Sequence, residues 1–324
     1  MKTHTWRTVC AASAIIALPL MTGCSNTASG SDDGILTLGN YPNSVLTLPV
    51  AVAEGEKLFE AEGLTVTRID AKSGAEMVAA LIGGTTQIAA SSVTSAAPAM
   101  GQGQDLRVLP PFEGENKVII ATAESGITSL GDFNGKRIAV NARGSDAETY
   151  VNDVIQQGGG DPSTITYISA GGGPAVAAAV MNGQVDGAVS TLSSVEQMRA
   201  NGADIKIVAS PHDGTAGTRG QVGLSGFYTT TAAYYDSHPE TVNSFCRALI
   251  RSTEFIADEK NKDKVVAYLA DWVGLPPANA ELAWAAERNS WFNTLDEGRW
   301  AANVEFAGGN PVPFDKVDNG CGQR

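Results

Sequence analysis

The residues of this chain with the means to engage a small molecule are hydrogen-bond donors set in tight turns, and one stretch gathers several of them. Arg143-Gly144-Ser145 precede a helix read over residues 147–155. A guanidinium fork, a hydroxyl and the free N–H groups of a helix start together make a cradle for an anion. The same residues have a plainer use, in which Ser145 caps its helix and Arg143 faces solvent. Asp146, next in line, offsets a cation or weakens an anion depending on its direction. Tyr41-Pro42-Asn43 offers a flat ring and an amide, either for stacking on an organic solute or, for the ring, for packing on a neighbouring helix. Covalent chemistry finds little support. Beyond residue 23 the histidines are His212 and His238, and neither stands in metal-ligand or nucleophile-activating spacing. His238-Pro239-Glu240 reads as the start of a helix and His212 as a loop residue. No nucleophile elbow, phosphate loop or dinucleotide fingerprint occurs in a strand-to-helix setting. No catalytic residue, metal or cofactor is expected.

The elements that would position these turns emerge from an internal repeat at an offset of 99 residues. Val66 to Gly74 (VTRIDAKSG) aligns with Ile165 to Gly173 (ITYISAGGG), and the register continues through Gly84 with Gly183 and Ala89-Ala90-Ser91 with Ala188-Val189-Ser190. Each copy reads strand, glycine turn, alanine-rich helix, glycine, strand, which is a βαβ unit with parallel strands. A further strand precedes each copy, at Ile35 to Leu38 and at Arg137 to Val140. The expected fold is therefore α/β, with two doubly wound lobes. In such sheets solutes bind beyond the carboxyl ends of the strands. That places the candidate site on Asn40, Tyr41 and Asn43, on Ser73 and Gly74, and on Ser91 and Ser92 in the first lobe. In the second it falls on Asn141, Arg143, Gly144 and Ser145, on Gly172 and on Thr191. Downstream, Asp204 to Ala209 reads as a strand, Pro211 to Gly220 as a loop, and Phe227 to Thr230 as the beginning of another strand. From Glu240 the apolar spacing turns helical, with a break at Pro276-Pro277. These helices have no sheet of their own and are expected to pack back on the first lobe. Core packing is the default for Trp272, Trp284, Trp291 and Trp300.

The first residues speak to location. Lys2 and Arg7 precede an apolar run from Val9 to Met21, too short to span a bilayer, and Met21-Thr22-Gly23-Cys24 is similar to a bacterial lipobox. The reading is a signal peptide over 1–23, lipidation at Cys24 and a polar tether over 24–33, with simple cleavage and a free thiol as the alternative. Loss of residues 1–23 removes two basic groups from 22 and none of the 35 acidic ones, leaving net −15. Nucleic acid is thereby a poor partner. With Cys10 in the signal and Cys24 lipidated, Cys246 and Cys321 remain, either as a disulfide tying the tail to a helix or as two buried thiols.

Several segments together resemble a known family. They are Leu48-Pro49 through Phe59, Gly63 to Val66, Ala80 to Gly84, Gly126 to Val140 (GITSLGDFNGKRIAV), Gly144-Ser145 and Met181 to Ala188 (MNGQVDGA). The chain is similar to the NMT1/THI5-like substrate-binding proteins of ABC importers for nitrate, sulfonates, taurine and thiamine-pyrimidine precursors. It departs from that pattern at Lys57, at Thr85-Thr86-Gln87 and at Thr191-Leu192. The resemblance implies a type II periplasmic-binding-protein fold whose lobes join at a two-crossover hinge, with a discontinuous first lobe over 34–123 and 211–324 and a second over 124–210. With the N-terminal reading it gives a monomer, anchored by lipid on the extracytoplasmic face of the cell membrane, that captures a small polar or anionic organic solute, sulfonate-like for preference. Its partner would be an ABC permease with its ATPase. The other readings are an enzyme of the same fold, of the thiamine-pyrimidine synthesis type, and a ligand-sensing surface lipoprotein.

Overall fold

The computed structural model describes residues 34–42, 44–71, 73–308 and 310–323. The signal segment, Cys24, the tether, Asn43 and Lys72 lie outside the described residues. Among them the strands are β1 (Ile35–Asn40), β2 (Thr65–Asp70), β3 (Ile88–Ser91), β4 (Leu106–Gly114), β5 (Lys117–Thr122), β6 (Arg137–Val140), β7 (Thr166–Ser169), β8 (Gly187–Thr191), β9 (Ile205–Ala209), β10 (Leu224–Thr231) and β11 (Trp291–Phe292).

Two sheets result, in the orders β11-β4-β10-β3-β1-β2 and β7-β6-β8-β5-β9. β1 lies parallel between β2 and β3, and β6 parallel between β7 and β8. The 99-residue offset is visible in the elements themselves. It relates helix Gly74–Ile82 to Gly173–Met181, β3 to β8, helix Val93–Gly101 to Leu192–Ala200, and the first residues of β4 and β9. Each sheet also takes an antiparallel strand from beyond a crossing into its interior, β10 between β3 and β4 and β5 between β8 and β9, and the first sheet adds antiparallel β11 at its edge on β4.

Strand alternation divides each sheet into two buried faces. In the first lobe Leu36, Leu38, Ile88, Ala90, Leu109 and Tyr228 pack on helices Leu48–Gly55 and Pro239–Ala257, while Ala89, Leu106, Val108, Phe112 and Phe227 face helices Gly74–Ile82, Val93–Gly101 and Glu297–Phe306. In the second, Ile119, Ile138, Val140 and Val189 pack on helix Asp146–Gln157, and Val118, Ile120, Ala139 and Ala188 on helices Gly173–Met181 and Leu192–Ala200. Helices on both faces of both sheets make the fold the doubly wound, two-lobed periplasmic-binding type.

Pro239 starts its helix without losing a needed N–H. Val242, Phe245, Leu249 and Ile256 then form one buried stripe, each contributing about 1.5–3 kcal/mol of apolar burial. Pro276 and Pro277 close this region and start helix Pro277–Glu287. The C-terminal helices do pack on the first lobe, but helix 277–287 also packs against helix 192–200 of the second.

Two expectations change. The chain crosses to the second sheet between Gly114 and Lys117, ahead of the boundary drawn after residue 123, because Val118 to Ala121 are apolar on both faces and fill the slot between β8 and β9. The segment read as a loop over 211–220 contains a short helix, Gly217–Val222. No helix among the described residues is long and apolar enough to cross a membrane.

Candidate functional site

Strand pairing brings the two carboxyl edges together. Gly114, at the end of β4, pairs with Leu224, and Lys117, which follows within three residues, pairs with Thr191 at the end of β8. The ends of β1, β2 and β3 therefore look across a neck of two crossings toward the ends of β6, β7 and β8, and the loops between them line an inter-lobe cleft.

On the first lobe, two helix starts converge. Ser73 caps helix 74–82 by accepting from Glu76 N at 3.2 Å, and Ser92 and Ser95 form a reciprocal capping box on helix 93–101. Gly74 is required by their closeness, since a Cβ there would stand 2.6 Å from Ser95 Cβ. It would also stand 3.4 Å from the Tyr41 hydroxyl. The Tyr41 ring packs into the core beside Met77 and Leu81, so it is not an open stacking platform. Its hydroxyl lies beside Ser95, and burial pushes its pKa up to about 12, keeping it protonated between the helix starts. Asn40 is buried, donates to Asp70 Oδ1 at 2.8 Å and leaves its own Oδ1 without a partner. Ser91 is also fully buried and shares a 2.6 Å hydrogen bond with Thr229, which takes it out of the cleft surface. Asn43 lies outside the described residues.

On the second lobe the expected anion cradle holds one of the chain's own carboxylates. Gly144 N donates to Glu148 Oε2 at 2.8 Å and Arg143 Nε approaches the same oxygen at 3.1 Å. Ser145 donates to Asn141 Oδ1 at 2.7 Å and accepts from Glu148 N as the helix cap. The Arg143 side chain is 61 % exposed, with its guanidinium 5.1 Å from the Tyr167 ring centre. Thr191 caps helix 192–200 through Ser194 N. Gly172 begins helix 173–181 with no side-chain cap and with open space where a Gly173 side chain would be, but Pro174 has no N–H and the N–H groups of Ala175 and Val176 both donate to Gly172 O, so of the first turn Gly173 alone is left to offer an N–H.

At the neck stand charged residues of which the sequence reading weighed only Asp146. Lys117 reaches Glu115 Oε1 at 2.7 Å and Asp146 Oδ2 at 2.8 Å; Arg219, 2 % exposed, donates to Asp146 Oδ1 at 2.8 Å. Asp146 thus turns away from the cleft. Burial would raise its pKa, but Lys117 and Arg219 hold it below the usual carboxylate range. Burial would likewise lower Lys117, and Asp146 and Glu115 more than reverse that. Glu113 and Glu287 are buried, and neither has a salt-bridge partner among the described residues. His212 lines a cavity of about 240 Å³ at the neck with Gly114, Glu115 and Arg299, and burial lowers its pKa. His238 stacks on Tyr234 where helix 239–257 begins. The one signal that pointed to the neck was the polar run Glu113-Gly-Glu-Asn-Lys117 between two apolar strands.

Of the tryptophans, Trp284 and Trp300 are core residues bonded to Ile256 O and Val312 O, and Trp272 donates to Thr47 under the Arg68 guanidinium. The Trp291 indole N–H is buried without a partner.

The NMT1/THI5 like family model matches residues 46–262, two thirds of the chain. The chain belongs to the NMT1/THI5-like family. Solved structures agree in fold. The alkanesulfonate-binding protein SsuA from Xanthomonas axonopodis pv. citri, bound to MOPS, has a TM-score of 0.68 and 22% identity over 83% of this chain and 90% of its own. The periplasmic aliphatic sulphonate binding protein SsuA from Escherichia coli has a TM-score of 0.71 and 18% identity, covering 85% and 86%. The ligand binding component of an ABC-type import system from Staphylococcus aureus, with zinc bound, has 0.70 and 13%, covering 89% and 98%. At these identities the likeness carries the NMT1/THI5-like fold and leaves the solute open. A sequence comparison with curated proteins finds no match.

Proposed function

We propose that this chain is the extracytoplasmic solute-binding component of an ABC importer, that it closes its lobes on a small organic solute with a sulfonate-like anionic group, and that it hands the solute to a permease. The observation that carries the reading is the meeting of two helix starts at Gly74 and Ser92–Ser95 around the Tyr41 hydroxyl. Backbone N–H groups and a protonated phenol fit an oxyanion, which needs donors rather than a full counter-charge. The Arg143–Glu148 pair is neutral as a unit and contributes at the rim. Ligand domains of this kind signal by closure, so no covalent step is needed. We extend the reading to a monomer held at the membrane by a lipid on Cys24, with 1–23 removed.

Isothermal calorimetry on residues 25–324, with taurine, alkanesulfonates, nitrate and pyrimidines, tests it. Saturable one-to-one binding of a sulfonate that is weakened in Gly74→Ala supports the site. Binding that favours uncharged pyrimidines, or that ignores Gly74→Ala, overturns it.

A further inference from the structure

Glu113 and Glu287 are each 1 % exposed, and neither has an ion-pair partner among the described residues. By strand alternation Glu113 shares the face of Leu109 and Tyr228, beside Trp291 on β11, and helix 277–287 ends over it with Glu287. Asn116, on the first crossing, stands between the two: its Nδ2 donates to Glu113 Oε1 at 3.1 Å, and its side chain lies beside Glu287. Ser290 donates to Glu287 Oε2 at 3.0 Å, while Glu287 Oε1 is buried with no partner. One amide cannot neutralise two carboxylates, and leaving both ionised in a buried site is costly.

We propose that Glu113 and Glu287 hold a proton between them at the neck, and that its loss as pH rises loosens helix 277–287 from the neck and weakens closure on the solute. The helix matters because it is the first-lobe element packed against helix 192–200, so a repulsion at its end bears directly on lobe spacing. His212 and Arg299 line the adjoining cavity with Glu115 and Ser290, and His212, lowered by burial, gives a stability slope of the opposite sign that wild type and Glu287→Gln share. Glu115 adds negative charge from the crossing and Lys117 opposes it; Tyr228 on β10 contributes an uncharged phenol, and Trp291 on β11 an uncharged indole. On the helix itself Arg288 turns away to Glu259, and on the facing helix Glu196 and Arg199 satisfy each other. Burial pushes the Glu287 pKa up to about 7 against the bond from Ser290 and the Asn116 amide beside it, and burial and the Glu287 charge push Glu113 up as well. The sign follows: a carboxyl raised in the folded state favours folding at low pH, and that contribution is lost as pH climbs from the unfolded value toward neutrality and past it.

The affinity part rests on the proposed solute reading; the proton part does not. The test therefore begins with the solute-free protein, by urea unfolding of wild type and Glu287→Gln between about pH 5 and pH 8.5. Wild type should lose stability across neutrality, and Glu287→Gln, neutral throughout, should show a flatter profile. Infrared spectroscopy of the wild type gives a second measurement that needs no variant: a protonated carboxyl band present near pH 6 and gone near pH 8.5. Calorimetry with the sulfonate that binds should then show a several-fold loss of affinity over the same range in wild type and less in the variant. Parallel stability profiles, or no protonated carboxyl band near pH 6, would overturn the shared proton. A titrating pair with pH-independent affinity would overturn its link to closure. Absence of binding at every pH would instead count against the solute reading, leaving the proton judged by the first two measurements.

Discussion

Removing the bridge between Cys246 and Cys321 should destabilise one lobe and leave the other alone. The two cysteines are 75 residues apart in sequence, joined at an S–S distance of 2.06 Å and fully buried. Closing a loop of that length in the unfolded chain costs entropy worth about 4.5 kcal/mol in the chain-entropy model, all of which the unfolded chain regains without the bridge. Measured effects of bridges usually fall short of this ideal value, and the tail keeps other holds that leave it docked without the bridge. Asp318 N donates to Val108 O at 2.9 Å, Tyr235 donates to Asp318 at 2.5 Å, and Gly322 N donates to Asn243 Oδ1 at 3.1 Å. We therefore expect a loss of about 3–4 kcal/mol in Cys246→Ala/Cys321→Ala, which for a protein of this size lowers the midpoint by on the order of 10 °C. The assay is urea unfolding with tryptophan fluorescence. The four tryptophans beyond residue 23 lie outside residues 117–209, so fluorescence of the chain without 1–23 follows the first lobe, while circular dichroism follows both. The second-lobe sheet is built from 117–209 and contains neither cysteine, so its transition should not move. A change below about 1 kcal/mol, or an equal shift of both transitions, would refute the loop-entropy argument.

Further outcomes follow from the same geometry. Gly74→Ala forces apart two helix starts and should cost about 1–3 kcal/mol of stability and at least about tenfold in solute affinity, read by unfolding and calorimetry. Arg143→Ala removes an exposed pair and should change stability by less than about 1 kcal/mol, altering on-rate and its salt dependence more than off-rate in stopped-flow binding. Arg219→Met leaves Glu115, Asp146 and Asp153 with Lys117 alone and should cost about 3–5 kcal/mol, measured by denaturant unfolding.

The scaffold was legible because its signals are local. The repeat fixed two βαβ units through matched apolar and glycine positions, and Pro239 and Pro276-Pro277 marked helix limits that the structure keeps nearly to the residue. The loops after the strands followed from topology, but the direction of each side chain did not. Whether Ser91 faces the cleft or Thr229 depends on a strand 138 residues away, and whether Arg143 is free depends on Glu148 folding back one turn later. The neck charges were hidden for the same reason. Glu115, Asp146 and Arg219 are far apart in sequence, and nothing in spacing announces that a crossing, a helix start and a short helix will meet.

The pairing of Gly114 with Leu224, and the bond from Glu115 N to Gly223 O at 3.0 Å, have a consequence for assembly of the chain. β4 and β10 are two arms of an ordinary hairpin into which about one hundred residues have been spliced, with their ends held side by side. During synthesis the spliced portion has every strand of its own sheet once residue 209 has emerged. The host sheet at that moment still has an open seam between β3 and β4, two unpaired edges that close only when β10 slides in. The second lobe is thus a cassette whose sheet is complete before the chain returns, whereas the first is a frame that stays unfinished until the cassette has been made.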